Sequence, residues 1–216
     1  VSLARLQERP QMTLSVIDAS QITNRVADNF KNVILQDGKH FKKSVTSGLK
    51  VRADENYFYE LISILLDNAN KYCDPHGDVF LNLRLGKRKK NVILSVTNSF
   101  VAGEDVDYQR FFERFYREDK ARTVSEKKSG YGIGLSMAQS IIKSFGGQIK
   151  ASYSNGKISF IITIKRQIKN KDIMEIRKRL LGAFNFAKNT KSMTSDSVAK
   201  APEPPKGDKL EKMTNL

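Results

Sequence analysis

The stretch LLDNANKYC, residues 65–73, sets two asparagines, an aspartate and a lysine inside what otherwise reads as a buried helix. At about 100° per residue, Phe58, Leu61, Ile62, Leu65, Leu66, Ala69 and Tyr72 share one broad apolar face. On the opposite side Glu60, Ile64, Asp67, Asn68 and Lys71 form a second stripe, with Asn68 at its edge. Taken alone, that stripe reads as a solvated outer face. The segments on either side decide whether it is one.

Upstream, Asp18 or Ser20 is placed to cap a helix running through ITNRVADNFKNVILQ to Gly38. HFKKSVT and LKVRAD read as two strands with the Ser47–Gly48 turn between them. The helix of the opening stretch then runs from Asp54 to about Cys73, stopped by Pro75 and Gly77. DVFLNLRL and NVILSVTN alternate apolar and polar residues around the basic turn GKRKK, a strong hairpin signal. After Asn98 come a short amphipathic piece, YQRFFERFYR, and a polar glycine-free segment, residues 118–129. A glycine-rich turn next opens a helix whose core stripe is Gly134, Ala138, Ile141, Ile142 and Phe145. GGQIKASYS and KISFIITIK close the pattern as a hairpin around Asn155–Gly156. The sequence thus predicts an α+β, two-layer α/β sandwich: one mixed sheet covered on one face by helices. Residues 1–19 have a loose helical rhythm broken by Pro10, and residues 20–166 form the folded domain. Residues 167–216 read as a basic amphipathic helix followed by a disordered tail rich in Lys, Ser, Thr and Pro.

With 216 residues the chain is long enough for one sizeable core. Cys73 is the only cysteine, which excludes an intrachain disulfide and fits a reducing compartment. No apolar run is long enough for a membrane-spanning helix. A start at Val1 in mid-pattern reads as a piece of a longer chain. The net charge of +15 invites a nucleic-acid reading, but the lysines are scattered and no recognition-helix or aromatic RNA-binding signature accompanies them. A polyphosphate ligand or an anionic membrane surface suits that charge equally well.

The turn Gly130-Tyr131-Gly132-Ile133-Gly134 stands before a helix, where glycines let backbone N–H groups approach an anion and the helix dipole favours it. It is no Walker loop, because no Gly-Lys-Ser/Thr closes it, and no strand leads into it as a Rossmann turn requires. Read together, LLDNANKYC, FFERFYR and GYGIGL resemble, in order and spacing, the N box, F box and second glycine box of sensor histidine kinase ATP-binding domains, of the GHKL superfamily. The resemblance covers about residues 20–165 and turns the polar stripe of the opening helix into a nucleotide-facing wall.

That resemblance implies ATP and Mg²⁺ as ligands and a protein-histidine kinase activity. It also implies partners: a dimerisation domain bearing the acceptor histidine outside this chain, a response regulator, and a homodimer in the full-length protein. Residues 1–19 would then end the upstream dimerisation helix or linker, and the domain would be the cytoplasmic part of a membrane-bound sensor. Asn68 would give Mg²⁺ a neutral oxygen, Lys71 a point charge to the phosphates, and Tyr72 a contact near the ribose or phosphates. Arg117, Lys120, Arg122, Lys127 and Lys128 would lie on the lid. Gly130, Tyr131, Gly132, Ile133, Gly134 and Leu135 would form the phosphate-side backbone, and Phe112 and Phe115 would seat the lid in the core. His40 and His76 have no acceptor or metal context.

Two departures from the family pattern stand out. The D-x-G-x-G box reads Asn98-Ser99-Phe100-Val101-Ala102, so Asn98 takes the place of the adenine-reading Asp and Phe100 that of the first glycine. An asparagine presents an oxygen and an NH₂, so it could serve adenine, or guanine with the amide flipped. Four residues before Asn68, where hydrolytic relatives carry a water-activating Glu and many kinases an Asn, this chain has Ile64. Competing readings are a degenerate nucleotide-binding regulatory module without phosphotransfer, and a basic nucleic-acid or membrane-surface binder.

Overall fold

A computed structural model of the chain describes residues 12–104, 106–108, 110–113, 115, 133–167 and 181. The chain divides into two units between Gln167 and Ile168. In the first unit the decisive helix, α2 (Glu55–Tyr72), starts where Asp54 accepts hydrogen bonds from the backbone N–H groups of Asn56 and Tyr57, which would otherwise be orphaned. Its apolar stripe is buried as the periodicity predicts: Phe58, Leu61, Ile62, Leu65, Leu66 and Ala69 are at most 1 % exposed. Each of the Phe, Leu and Ile side chains contributes about 1.5–3 kcal/mol by leaving water. Helix α1 (Ala19–Gln36), capped by Asp18, and helix α3 (Gly134–Ser144) pack on either side of α2.

Among the described residues, β1 (Ser15–Asp18), β2 (His40–Val45), β3 (Lys50–Ala53), β4 (Asp78–Leu85), β5 (Asn91–Ser99), β6 (Gln148–Ser154) and β7 (Lys157–Gln167) form one sheet in the order β1-β3-β7-β5-β4-β2. Strand β5 borders β7 over Lys157–Lys165, β6 pairs with β7 over Lys157–Thr163, and β3 takes its last two residues. Only the β2–β4 pair is parallel, so the sheet is mixed. Val79, Leu81 and Leu83 of β4, Val92, Leu94 and Val96 of β5, and Ile158, Phe160, Ile162 and Ile164 of β7 point together into the helical layer. Period-2 alternation puts their neighbours on the opposite face, away from α1, α2 and α3.

One expectation needs correction. Residues 15–18, read as part of a loose helical rhythm, are a strand paired antiparallel with β3. The turn at Ser47–Gly48 is present, with Gly48 at φ 70°, but the strands it joins do not pair with each other. Near that turn the Ala19 N–H donates to the Leu49 carbonyl and the Leu49 N–H to Ser20 Oγ, whose hydroxyl donates to the Thr46 carbonyl. These bonds tie the turn to the start of α1, and β2 and β3 leave for opposite ends of the sheet.

Candidate functional site

The C-terminal half of α2 sits where the end of β5 and the start of α3 meet it. From below, Asp74 N–H donates to the Ser99 carbonyl at 3.0 Å, Asp78 N–H to Ser99 Oγ at 3.0 Å, and Val101 N–H to Asp74 Oδ2 at 2.9 Å. From the side, Gly134 approaches Ile64 so closely that a Cβ on it would lie 3.4 Å from the isoleucine Cγ2. The N box, the altered first glycine box and the described end of the second glycine box, residues 133–135, therefore converge.

Within this wall the amides of the opening stretch divide by role. Asn70 is buried, and its Nδ2 donates to Asp37 at 2.7 Å. The buried ammonium of Lys39 donates to the Asn70 carbonyl and, at 3.2 Å, to its Oδ1. Asn70 thus joins α2 to the end of α1, a structural task that nothing local in the sequence reveals. Asn68 is half-buried on the stripe beside Ile64, free of the core, with an oxygen suited to Mg²⁺ shared with phosphates and water. Among the described residues no group of three or more His, Cys, Asp or Glu could hold a metal ion by itself. A single neutral ligand fits a cation brought by its polyphosphate.

Lys71 pairs with Asp67 one turn earlier, Nζ to Oδ2 at 2.7 Å, with both side chains partly exposed. Such a pair is worth only about 0.3–0.5 kcal/mol, so Asp67 holds the ammonium weakly. Tyr72 is half-buried at the last position of the helix. Burial pushes the Glu60 carboxyl above its ordinary range, consistent with a stripe that is partly covered rather than fully solvated.

Asn98 is 0 % exposed and lies between Val79 and Ile158 on the helical side of the sheet. Its Nδ2 donates to the Ser99 carbonyl at 3.1 Å, while its Oδ1 is buried without a hydrogen-bond partner. Only Asn82 Oδ1 and Arg166 Nε share that state among the described residues. A buried acceptor without a donor carries a cost of about 1–3 kcal/mol. It fits an N–H donor such as the adenine amino group. The Ser99 contact favours one of the two amide orientations: the flipped form would set Oδ1 against the Ser99 carbonyl. The oriented side chain therefore offers an acceptor, which adenine needs and guanine does not.

At the start of α3, Ile133 occupies the N-cap position with no side-chain cap, and the first turn holds no acidic residue, so its backbone donors remain available to an anion. Gly134 is exposed and Leu135 half-buried. Arg117, Lys120, Arg122, Lys127, Lys128, Gly130, Tyr131 and Gly132 lie outside the described residues.

Phe100, in place of the first glycine, has φ −158° and ψ 79°, a backbone that needs no glycine, and its side chain packs against the core. Phe112 also seats in the core, its ring 6.4 Å from Phe160 in a T-shaped arrangement. Phe115 does not: it is 66 % exposed with φ 65°, because the short 3-10 segment Arg110–Phe112 has ended and the chain turns its ring outward. Phe111, against Tyr108 and Phe160, takes the anchoring place that the sequence reading gave to Phe115. His40 and His76 are exposed and Cys73 is buried, as their sequence context implied.

Residues 53–168 match the family model of histidine kinase-, DNA gyrase B-, and HSP90-like ATPases, and the chain belongs to that family. Among individual proteins it is similar to the sensor protein CiaH of Streptococcus pneumoniae, 28% identical over 149 residues, which is 69% of this chain and 32% of that protein. The sensor histidine kinase WalK of Bacillus subtilis is 28% identical over 145 residues, 66% of this chain and 23% of its own. The chain thus spans about a third or less of the curated relatives it matches. Among solved structures, a mycobacterial sensor histidine kinase, MprB, superposes with a TM-score of 0.59 at 20% identity, over 73% of this chain and all of that one, and shares the α+β fold.

Proposed function

We propose that the chain is the ATP-binding catalytic domain of a two-component sensor histidine kinase. It transfers the γ-phosphoryl group of Mg-ATP to a histidine on a dimerisation domain outside these residues. The observation that carries this reading is the fully buried, unpartnered Asn98 Oδ1 at the foot of α2, facing the layer that also presents Asn68 and the open first turn of α3. Asn98 holds the base, Asn68 and Lys71 the metal-bound phosphates, and α3 the phosphate end through its backbone. In the transfer, the bond from Pγ to the bridging oxygen breaks, a bond from Pγ to the imidazole nitrogen forms, and ADP leaves with the electron pair. The protein's part is positioning and charge stabilisation. The partners are the acceptor domain of the same kinase, as a homodimer, and a response regulator, with the domain on the cytoplasmic side of a membrane-bound sensor.

Ile64 supports transfer rather than hydrolysis, since an alkyl group beside Gly134 cannot deprotonate water. Incubated with Mg-ATP, the chain is expected to label neither itself nor release phosphate above the rate of its Asn68→Ala variant. Added acceptor domain should become labelled, and Asn68→Ala should abolish that label. Steady phosphate release that depends on Asn68, or no label on any supplied acceptor despite ATP binding, would refute the kinase reading. The second outcome would favour a regulatory nucleotide-binding module, to which the Phe100 and Ala102 replacements also point.

The division of the chain at Gln167 yields a further expectation. A variant ending at Gln167 should bind ATP as tightly as the full chain, because every described site residue lies before it. Isothermal titration of the two forms compares them directly, and a folded truncation with weakened binding would place part of the site in residues 168–216.

A further inference from the structure

The charged side chains on the face of the sheet opposite the helices are almost all cationic. Register across β2, β4, β5, β7 and β6 aligns Lys42, Phe80, Thr97, Ser159 and Ser152 in one row, and Ser44, Asn82, Ser95, Ile161 and Lys150 in the next. Arg84, Lys157 and Lys165 lie on the same face, and the exposed turn Lys87, Arg88, Lys89 and Lys90 extends it at one end. Asp78 is the only acidic residue in these five strands. It is already engaged by Lys157 Nζ at 3.2 Å and faced by His40 Nδ1 at 3.7 Å. Five strands at about 4.8 Å spacing make a surface about 20 Å wide, larger than a Debye length, so the cations act as a field rather than as pairs.

We propose that this open face of the sheet docks on an anionic lipid surface. The observations favour a bilayer over other polyanions. A single-stranded nucleic acid needs a free aromatic face for base stacking, but the Phe80 ring carries the Lys157 ammonium at 4.8 Å and the Lys42 ammonium at 5.7 Å from its centroid. Duplex readers insert a helix or a ribbon into a groove, and all the helices described for this unit lie on the other face. Stable protein interfaces have a charge-depleted core with aromatic anchors, whereas here the apolar side chains Phe80, Ile93 and Ile161 are only half-buried, between Ser, Thr and Asn, and cations surround them. A broad array of lysines with short hydroxyl side chains matches diffuse attraction to acidic headgroups. Each such cation near the membrane strengthens binding about fivefold. The nucleotide site, on the helical side, stays accessible in this orientation.

The test uses the full chain and vesicles of equal parts phosphatidylglycerol and phosphatidylcholine, read by co-sedimentation at low and high salt. Wild type is expected to bind these vesicles, to ignore pure phosphatidylcholine, and to be released by salt. Lys42→Glu/Lys150→Glu/Lys165→Glu should weaken binding by roughly 100-fold or more. The neutral counterpart Lys42→Gln/Lys150→Gln/Lys165→Gln should do so less and carries the test if the charge-reversed chain fails to fold. Because the segment after Gln167 is also basic, Lys169→Glu/Lys171→Glu/Lys178→Glu serves as the control and should have the smaller effect. Face variants that bind like wild type, or loss of binding only in the control, would overturn the proposal. So would preferential capture by an oligonucleotide or an acidic polypeptide under conditions where the vesicles are not bound.

Discussion

Asn98→Leu is expected to weaken ATP by roughly 30-fold while leaving the nucleotide-free protein as stable as before, or more stable. The two effects have opposite signs because one atom causes both. In the empty protein Oδ1 is buried with no donor, and removing it removes a desolvation cost of about 1–3 kcal/mol. The Nδ2 bond to the Ser99 carbonyl is lost as well, but that carbonyl keeps the Asp74 N–H at 3.0 Å, so nothing is orphaned. In the complex the leucine leaves the adenine amino group buried and unpaired, about 2 kcal/mol, which is the stated factor. Asn98→Asp differs. A carboxylate would be buried beside the Ser99 carbonyl, so the nucleotide-free protein should lose stability, and ATP should recover more of it than in wild type. Thermal melts of the three proteins with and without ATP, alongside titration calorimetry with ATP and GTP, read both effects. An Asn98→Leu protein that is destabilised when empty, or that binds ATP normally, would show that Asn98 does not read the base. GTP binding as tight as ATP would show that the amide turns over despite Ser99.

What the sequence made legible follows the range of the interactions involved. Helices α1, α2 and α3 and the β4–β5 and β6–β7 hairpins have local causes: 3.6-residue periodicity, Asp18 and Asp54 as caps, strict alternation and short turns. They stand within a residue or two of where those signals put them. Strand β1 has no such signal, being four residues long and ordered by antiparallel pairing with the distant β3, from Ser15 opposite Ala53 to Asp18 opposite Lys50. The separation of β2 from β3 is likewise settled by bonds from Ala19 and Ser20, far away in sequence. At the site, Asn68, Lys71 and Asn98 were legible as residue types in boxes. The state of Asn98 was not, because an unpartnered oxygen is a property of its surroundings. The same holds for Asn70: only the approach of Lys39 and Asp37 distinguishes it from Asn68 two positions earlier.

Gly103→Ala is expected to cost about 3 kcal/mol, the upper part of the range for overpacking a filled core. A Cβ at this position would lie 2.4 Å from Tyr108 Oη, 2.6 Å from Tyr153 Cε2 and 2.8 Å from Phe100 Cδ1, and only the first of these neighbours ends a side chain. Tyr108 cannot retreat freely. Its hydroxyl donates to the Gly103 carbonyl, its ring stacks on Tyr153 with centroids 5.7 Å apart, and it meets Phe111 edge-on at 5.2 Å. Phe111 in turn packs toward Phe160 of β7. The methyl group would therefore push apart an aromatic cluster that ties the segment after Asn98 to the sheet. For a chain of this size the expected cost lowers the melting temperature by about 6–12 °C. Tyr108→Phe alone should cost about 1 kcal/mol, the hydroxyl's bond to the Gly103 carbonyl. In the Gly103→Ala background the same change removes the atom that clashes most severely, so the double variant should be more stable than the sum of the single costs implies, by about 1 kcal/mol or more. Urea unfolding of the wild type, the two single variants and the double variant closes this cycle. Strict additivity would mean that the alanine is accommodated by backbone movement away from Tyr108, and that the close packing around Gly103 does not hold this segment in place.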